Sequence, residues 1–146
     1  IEEFLAEEEG PCSFFIIDVD DFKHINDRFG HPEGDRVLRE IGSFLGKVMR
    51  KEDVVARFGG DEFTIFAKGL GPGPAIENIL ARIAQGPSVG DGDGDACGCV
   101  MPTLSIGAVT CPKPGKTFDE IYQAADETLY EAKRAGKAQA KLRVLE

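Results

Sequence analysis

Ser13 to Val19 reads Ser-Phe-Phe-Ile-Ile-Asp-Val, a near-continuous apolar run that gives way to the acids Asp18, Asp20 and Asp21. Such a run suits a buried central strand, and the rest of the chain has to fold around it. An acid closing an apolar strand sits where burial is costly without a partner. Asp18 is therefore the first candidate for a chemical role.

Around this strand the periodicity predicts a compact order of elements. Ile1, Phe4 and Leu5 are spaced like one helix face, followed by an acidic run and a Gly10-Pro11 stop. After a polar stretch from Lys23 to Asp35, the positions Val37, Leu38, Ile41, Phe44, Leu45 and Val48 predict an amphipathic helix ending near Arg50. Val54-Val55-Ala56 and Phe63 to Ala67, separated by Gly59-Gly60, read as a hairpin. Ile76, Ile79, Leu80 and Ile83 predict a further helix, and Thr103 to Val109 alternates as a strand. Thr117-Phe118-Asp119-Glu120 is a capping box opening a last helix, with Gly136 as its stop and a final strand at Leu142 to Leu145. The core β-α-β-β-α-β order matches the ferredoxin-like split arrangement, an α+β fold whose antiparallel-rich sheet carries helices on one face. Nucleotide cyclases and polymerase palms share this architecture.

Composition narrows the partners. The 146 residues include 26 Asp and Glu against 17 Lys and Arg, a net charge of −9, which disfavours a nucleic-acid polymer as ligand. A small anionic ligand stays open, because a divalent cation inverts the local sign. No apolar stretch has the length of a membrane span, so a cytoplasmic domain is expected, either free or as the cytosolic part of a membrane-anchored or multidomain sensor. The cysteines Cys12, Cys97, Cys99 and Cys111 are too sparse for a disulfide scaffold and are expected to be reduced. With two histidines, a zinc centre is not expected.

In the split arrangement the first strand lies antiparallel to the second strand of the hairpin. Asp18 then meets Asp61 and Glu62 at one sheet edge. Crowded carboxylates repel unless a cation joins them, and a hard divalent ion with oxygen ligands is the usual answer. Gly59 and Gly60 would let a nucleotide approach the hairpin backbone.

These residues fall in motifs that resemble the GGDEF family of diguanylate cyclases. The signature stands as Arg57-Phe58-Gly59-Gly60-Asp61-Glu62-Phe63. Asp18 to Asp27, Gly30 to Asp35, Leu104-Ser105-Ile106-Gly107, and Ala124 through Lys133 to Lys137 follow the family order across residues 14–137. The resemblance implies condensation of two GTP molecules into cyclic di-GMP and two pyrophosphates across a transient homodimer. It implies two Mg²⁺ or Mn²⁺ ions held by Asp18, the carbonyl of Val19, Asp61 and Glu62. Asp61 would accept the 3′-hydroxyl proton with Glu62 in support, and Lys23 would stabilise the transition state. Phe22, Gly59 and Gly60 would face the substrate through their backbone, while Asn26, His31 and Asp35 would form the guanine pocket. Lys133 and Lys137 would hold the terminal phosphates, with Lys137 replacing a bidentate arginine by a point charge. Arg50 and Asp53, in an Arg-x-x-Asp pattern, would form an inhibitory site for cyclic di-GMP.

Plainer roles stand beside these. Asp20, Asp21 and Asp27 suit loops and caps, His24 a solvated loop, and Lys133, Arg134 and Lys137 the end of a helix dipole. Arg50 and Asp53 suit an ordinary surface pair. The Asp91 to Asp95 segment has Ala96 where a calcium loop needs glycine, so it reads as an acidic loop. The Asp-x-Leu-Thr-Gly-Leu-like stretch that opens domains of this family is absent. A single domain over residues 1–146, trimmed at its start and belonging to a larger signalling protein, is the expectation. Two alternatives remain: a catalytically silent receptor for GTP or cyclic di-GMP, and another two-metal nucleotidyl chemistry on the same fold.

Overall fold

The computed structural model describes residues 10–87 and 101–146. The expected helix at residues 1–5, the Gly- and Asp-rich stretch from residue 88, Cys97 and Cys99 lie outside the described residues.

The elements run β1 (Cys12–Val19), α1 (Phe22–Phe29), α2 (His31–Val48), β2 (Val54–Arg57), β3 (Glu62–Lys68), α3 (Pro74–Gln85), β4 (Leu104–Cys111), α4 (Phe118–Arg134) and β5 (Ala140–Val144). The sheet order is β2-β3-β1-β4-β5. Pairing is antiparallel throughout except between β4 and β5. This is the split arrangement expected from the sequence, with β1 at the centre.

Side chains on β1 alternate between two cores, as a period of two requires. Phe15, Ile17 and Val19 pack with Val37, Leu38, Ile41 and Phe44 of α2 and with Ile76, Leu80 and Ile83 of α3. Cys12, Phe14 and Ile16 pack on the other face with Phe66, Val109 and the Ile121, Ala125 and Leu129 stripe of α4. The two core helices share one face as expected, and α4 adds a layer on the opposite face. A strand apolar on both sides leaves no alternative.

Two details depart from the sequence reading. The polar stretch after Asp21 is helical: α1 buries only Phe22 and Ile25, too few positions to make a periodic signal. The second helix also begins at His31 rather than Val37, with Pro32 in its first turn and Gly34 buried against α1. Pro is favoured there because its missing N–H costs nothing at a helix start.

The capping box is present, with Thr117 Oγ1 accepting from the Glu120 N–H at 3.2 Å. Beyond α4, Gly136 has φ 121° and the Lys137 N–H reaches back to the Ala132 carbonyl at 3.1 Å, a left-handed termination that glycine accommodates.

Candidate active site

The β1–β3 register sets Asp18 directly opposite Glu62, on the sheet face covered by α4. Between them the Val19 N–H donates to the Asp61 carbonyl at 3.1 Å, so the strand end and the hairpin turn are tied through backbone. The Asp61 carboxylate stands within hydrogen-bond reach of Asp18. In the last turn of α4, the Lys133 ammonium pairs with Asp18. Farther along, Lys137 Nζ reaches Asp21 Oδ1 at 3.1 Å.

Electrostatics follow from this crowding. Burial, with Asp61 adding to it, holds the Asp18 carboxyl above the ordinary range despite the opposing pull of Lys133. Burial also raises Glu62, and the charges of Asp18, Asp126 and Asp61 push the same way. Burial pulls Lys133 down, yet its hydrogen bond to Asp18 and the surrounding acids leave the ammonium above its usual value. The edge is a pool of negative charge with one lysine drawn into it.

Among the described residues, no three His, Cys, Asp or Glu side chains converge closely enough to cage a metal ion. Magnesium seldom needs such a cage: it binds through one or two carboxylates and completes its shell with water and substrate phosphate. Asp18, Asp61 and Glu62 are oxygen donors under mutual repulsion, and that donor chemistry fits a hard divalent ion.

The hairpin turn is shaped by Arg57, whose guanidinium donates to the carbonyls of Gly59 at 3.3 Å and Gly60 at 2.8 Å. Gly59 adopts φ 89°, whereas Gly60 has ordinary backbone and a Cβ there would meet nothing within 4 Å. The chain itself therefore does not require glycine at position 60.

The expected guanine residues gather at the α1–α2 corner. A Cβ on Gly34 would lie 1.9 Å from Asn26 Oδ1, so Asn26 rests directly on that glycine, one residue before Asp35. His31 and Asp35 are exposed at the same corner, as is Lys23 on α1. Phe22 is buried, and its N–H opens α1, where the first amides have no acceptor within the helix. Arg50 and Asp53 stand apart, beyond α2. The Arg50 N–H donates to Asp53 Oδ2 at 2.8 Å, its guanidinium to Asp53 Oδ1 at 2.8 Å and to the Lys68 carbonyl at 2.7 Å. The two residues form a closed local pair.

Two supporting residues carried little signal in the sequence. Asp20, only 5% exposed, accepts from Thr103 Oγ1 at 2.6 Å, Ser105 Oγ at 2.6 Å and the Ala138 N–H at 3.1 Å. It joins the end of β1 to β4 and to the left-handed turn of Lys137 and Ala138, at φ 62° and 52°. Ser105 in the Leu-Ser-Ile-Gly motif was the visible trace of this contact. Tyr122 lies beside Glu62 and stacks in an aromatic cluster with Phe14, Phe118 and Phe58, at ring separations of 6.1, 5.8 and 6.0 Å. Burial raises its phenol above the ordinary value, with Glu62 and Asp126 adding to the shift.

A split βαββαβ sheet with acidic residues at the junction of its central strands and a glycine-rich hairpin defines a palm-like α+β domain. Within that class, the model for "Diguanylate cyclase, GGDEF domain" matches residues 2–139, and the chain belongs to this family. It is 38% identical over 131 residues to diguanylate cyclase DgcP of Pseudomonas aeruginosa, covering 88% of this chain and 19% of that protein. It is 36% identical over 135 residues to diguanylate cyclase DosC of Escherichia coli, covering 90% of this chain and 28% of that protein. The chain thus spans well under a third of the length of these relatives. Among solved structures, the GGDEF domain of PA1120 from Pseudomonas aeruginosa superposes with TM-score 0.78 at 33% identity, covering 99% of this chain and 91% of that one. The GGDEF domain of DgcB from Caulobacter crescentus, in complex with c-di-GMP, gives TM-score 0.78 at 26% identity, covering 97% and 84%.

Proposed function

We propose that this domain condenses two GTP molecules into cyclic di-GMP, releasing two pyrophosphates. The observation that carries the reading is the meeting of Asp18, Asp61 and Glu62 at one sheet edge beneath Lys133. Magnesium or manganese, two ions held by Asp18, the Val19 carbonyl, Asp61 and Glu62, would neutralise triphosphate charge and favour the ionised 3′-oxygen.

The chain's own residues do the rest. Asp61 accepts the 3′-hydroxyl proton as the 3′-oxygen of one GTP attacks the α-phosphorus of the other. Glu62 supports the same charge cluster, and Lys23 offsets negative charge growing in the transition state. Lys133 and Lys137 exchange their carboxylate partners for the terminal phosphates. The Phe22 backbone and the bare hairpin at Gly59 and Gly60 let the phosphates approach. Asp35 accepts from the N1–H and exocyclic amine of guanine, a donor pair adenine does not offer, with Asn26 and His31 completing the pocket. Both GTPs react only when two domains bring their half-sites together, so a transient homodimer is the working form. Arg50 and Asp53 open their local pair to bind cyclic di-GMP as a feedback inhibitor. We place the domain in the cytoplasm, as one module of a larger signalling protein; no helix among the described residues is long and apolar enough to cross a membrane.

The deciding experiment incubates protein fused to a dimeriser with GTP and Mg²⁺, and detects cyclic di-GMP by chromatography. Product is expected, and Asp61→Ala is expected to abolish it with the fold intact. Tight GTP binding without product would instead establish a receptor. Arg50→Ala is expected to relieve inhibition by added cyclic di-GMP, and unchanged inhibition would remove Arg50 from that role.

A further inference from the structure

Cys12 opens β1 and Cys111 closes β4, and the antiparallel register makes them direct partners across the two strands. Directly opposed residues in such a pair have Cα atoms about 4.5 or 5.5 Å apart. Both spacings lie inside the roughly 4.4–6.8 Å window that a disulfide spans. The two side chains lie on the same sheet face, packed with Phe14, Val109 and Ile121. Neither is in a disulfide, and the two thiols stand close enough to interact.

Both thiols are buried, Cys12 at 4% and Cys111 at 1% exposure, beside a small opening in the surface. A cavity of about 10 Å³, enough for one water-sized molecule, is lined by both cysteines, Ile121 and the Lys113-Pro114-Gly115-Lys116 turn, and it is partly open to solvent. Two lysines therefore belong to its lining. A cationic neighbour favours a cysteine's thiolate, and burial opposes it. The interaction with Cys12, with Lys116 in support, lowers the Cys111 thiol below its ordinary value in spite of burial.

We propose that Cys12 and Cys111 form an oxidative modification site that closes to a cross-strand disulfide on reaction with a hydroperoxide. The Cys111 thiolate attacks the peroxide, forming an S–O bond as the O–O bond breaks and water or an alcohol leaves. The Cys12 thiol then displaces hydroxide from the sulfenic sulfur, forming the S–S bond and releasing water. Two thiols lose two electrons and one peroxide gains them. The bridge pins the end of the central strand opposite to Asp18, so it is a clamp on the fold and leaves the acidic edge in place.

The test uses the full chain with Cys97→Ser and Cys99→Ser, so that only the facing thiols remain. Folded protein treated with hydrogen peroxide is expected to lose two hydrogen masses, and a non-reducing peptide map should join the Cys12 and Cys111 peptides. Dithiothreitol should reverse the change, and the oxidised form should melt roughly 5 °C or more above the reduced one. Cys12→Ser should leave a Cys111 sulfenic acid that dimedone traps. Intermolecular dimers, sulfinic acid at Cys111 with Cys12 still present, or no reaction in the folded protein while urea-unfolded protein reacts would each overturn the proposal.

Discussion

Glu62 is held at a cost to the folded state. Its carboxyl is raised by burial and by Asp18, Asp126 and Asp61, so the folded protein holds that proton more tightly than the unfolded chain does. The sign follows from linkage: between the unfolded and the raised folded value the native state binds more protons, and stability falls as pH rises through that window. Asp18 contributes in the same direction. Glu62→Gln is accordingly expected to raise the melting temperature at neutral pH in metal-free buffer and to flatten the stability loss just above the carboxylate range. A melting temperature unchanged or lowered at neutral pH would contradict the repulsion. Asp20 is the opposite case, a buried carboxylate fully used as an acceptor. Asp20→Ala strands the Thr103 and Ser105 hydroxyls and the Ala138 N–H, a loss on the order of 3 kcal/mol that urea denaturation would measure. Both roles were hard to see in the chain. Asp18, Asp20 and Asp21 look alike as letters, and only the β4 hydroxyls distinguish the structural acid from its neighbours.

Two glycines show what the elements demand of each other. A Cβ on Gly107 of β4 would lie 2.3 Å from the Leu129 nitrogen and 2.4 Å from the Ala125 carbonyl oxygen. Both are backbone atoms of α4, which cannot yield except by moving the whole helix. Gly107→Ala is therefore expected to destabilise the fold by about 1–3 kcal/mol, read from chemical denaturation. Gly34 differs because its obstacle is the tip of the Asn26 side chain, which a rotamer change can move. Gly34→Ala is expected to keep the fold and to weaken GTP binding, measured by calorimetry, because Asn26 must turn away. At this scale, α2, α3, α4 and the strands were legible, since their apolar residues repeat at 3.6 or 2. Helix α1 was not, because a short helix anchored by Phe22 and Ile25 has no repeat to show. Its stability comes from packing against α2 at Gly34, a contact absent from any local pattern.

Across the whole molecule, the net charge of −9 bears on assembly. Two like-charged domains repel as they approach, and salt screens that repulsion within about 10 Å at 0.1 M. Turnover per protomer of the untethered domain is therefore expected to rise with protein concentration, and at fixed concentration to rise from low to moderate ionic strength. A tethered dimer should show neither rise. First-order activity from a strict monomer would refute the homodimer. What the sequence by itself determined is the order of the elements other than α1, the split topology and the acids gathered at one sheet edge. These follow from hydrophobic period, from glycine and proline punctuation, and from motifs whose chemistry is carried by residue type. What only the tertiary structure decided is which acid is paired with what. Lys133 on Asp18, Asp20 beneath Ser105, Tyr122 on Glu62 and Cys12 against Cys111 join residues far apart along the chain. The physical reason is that strand register and helix docking, neither of them local, set the distances over which charges and hydrogen bonds act.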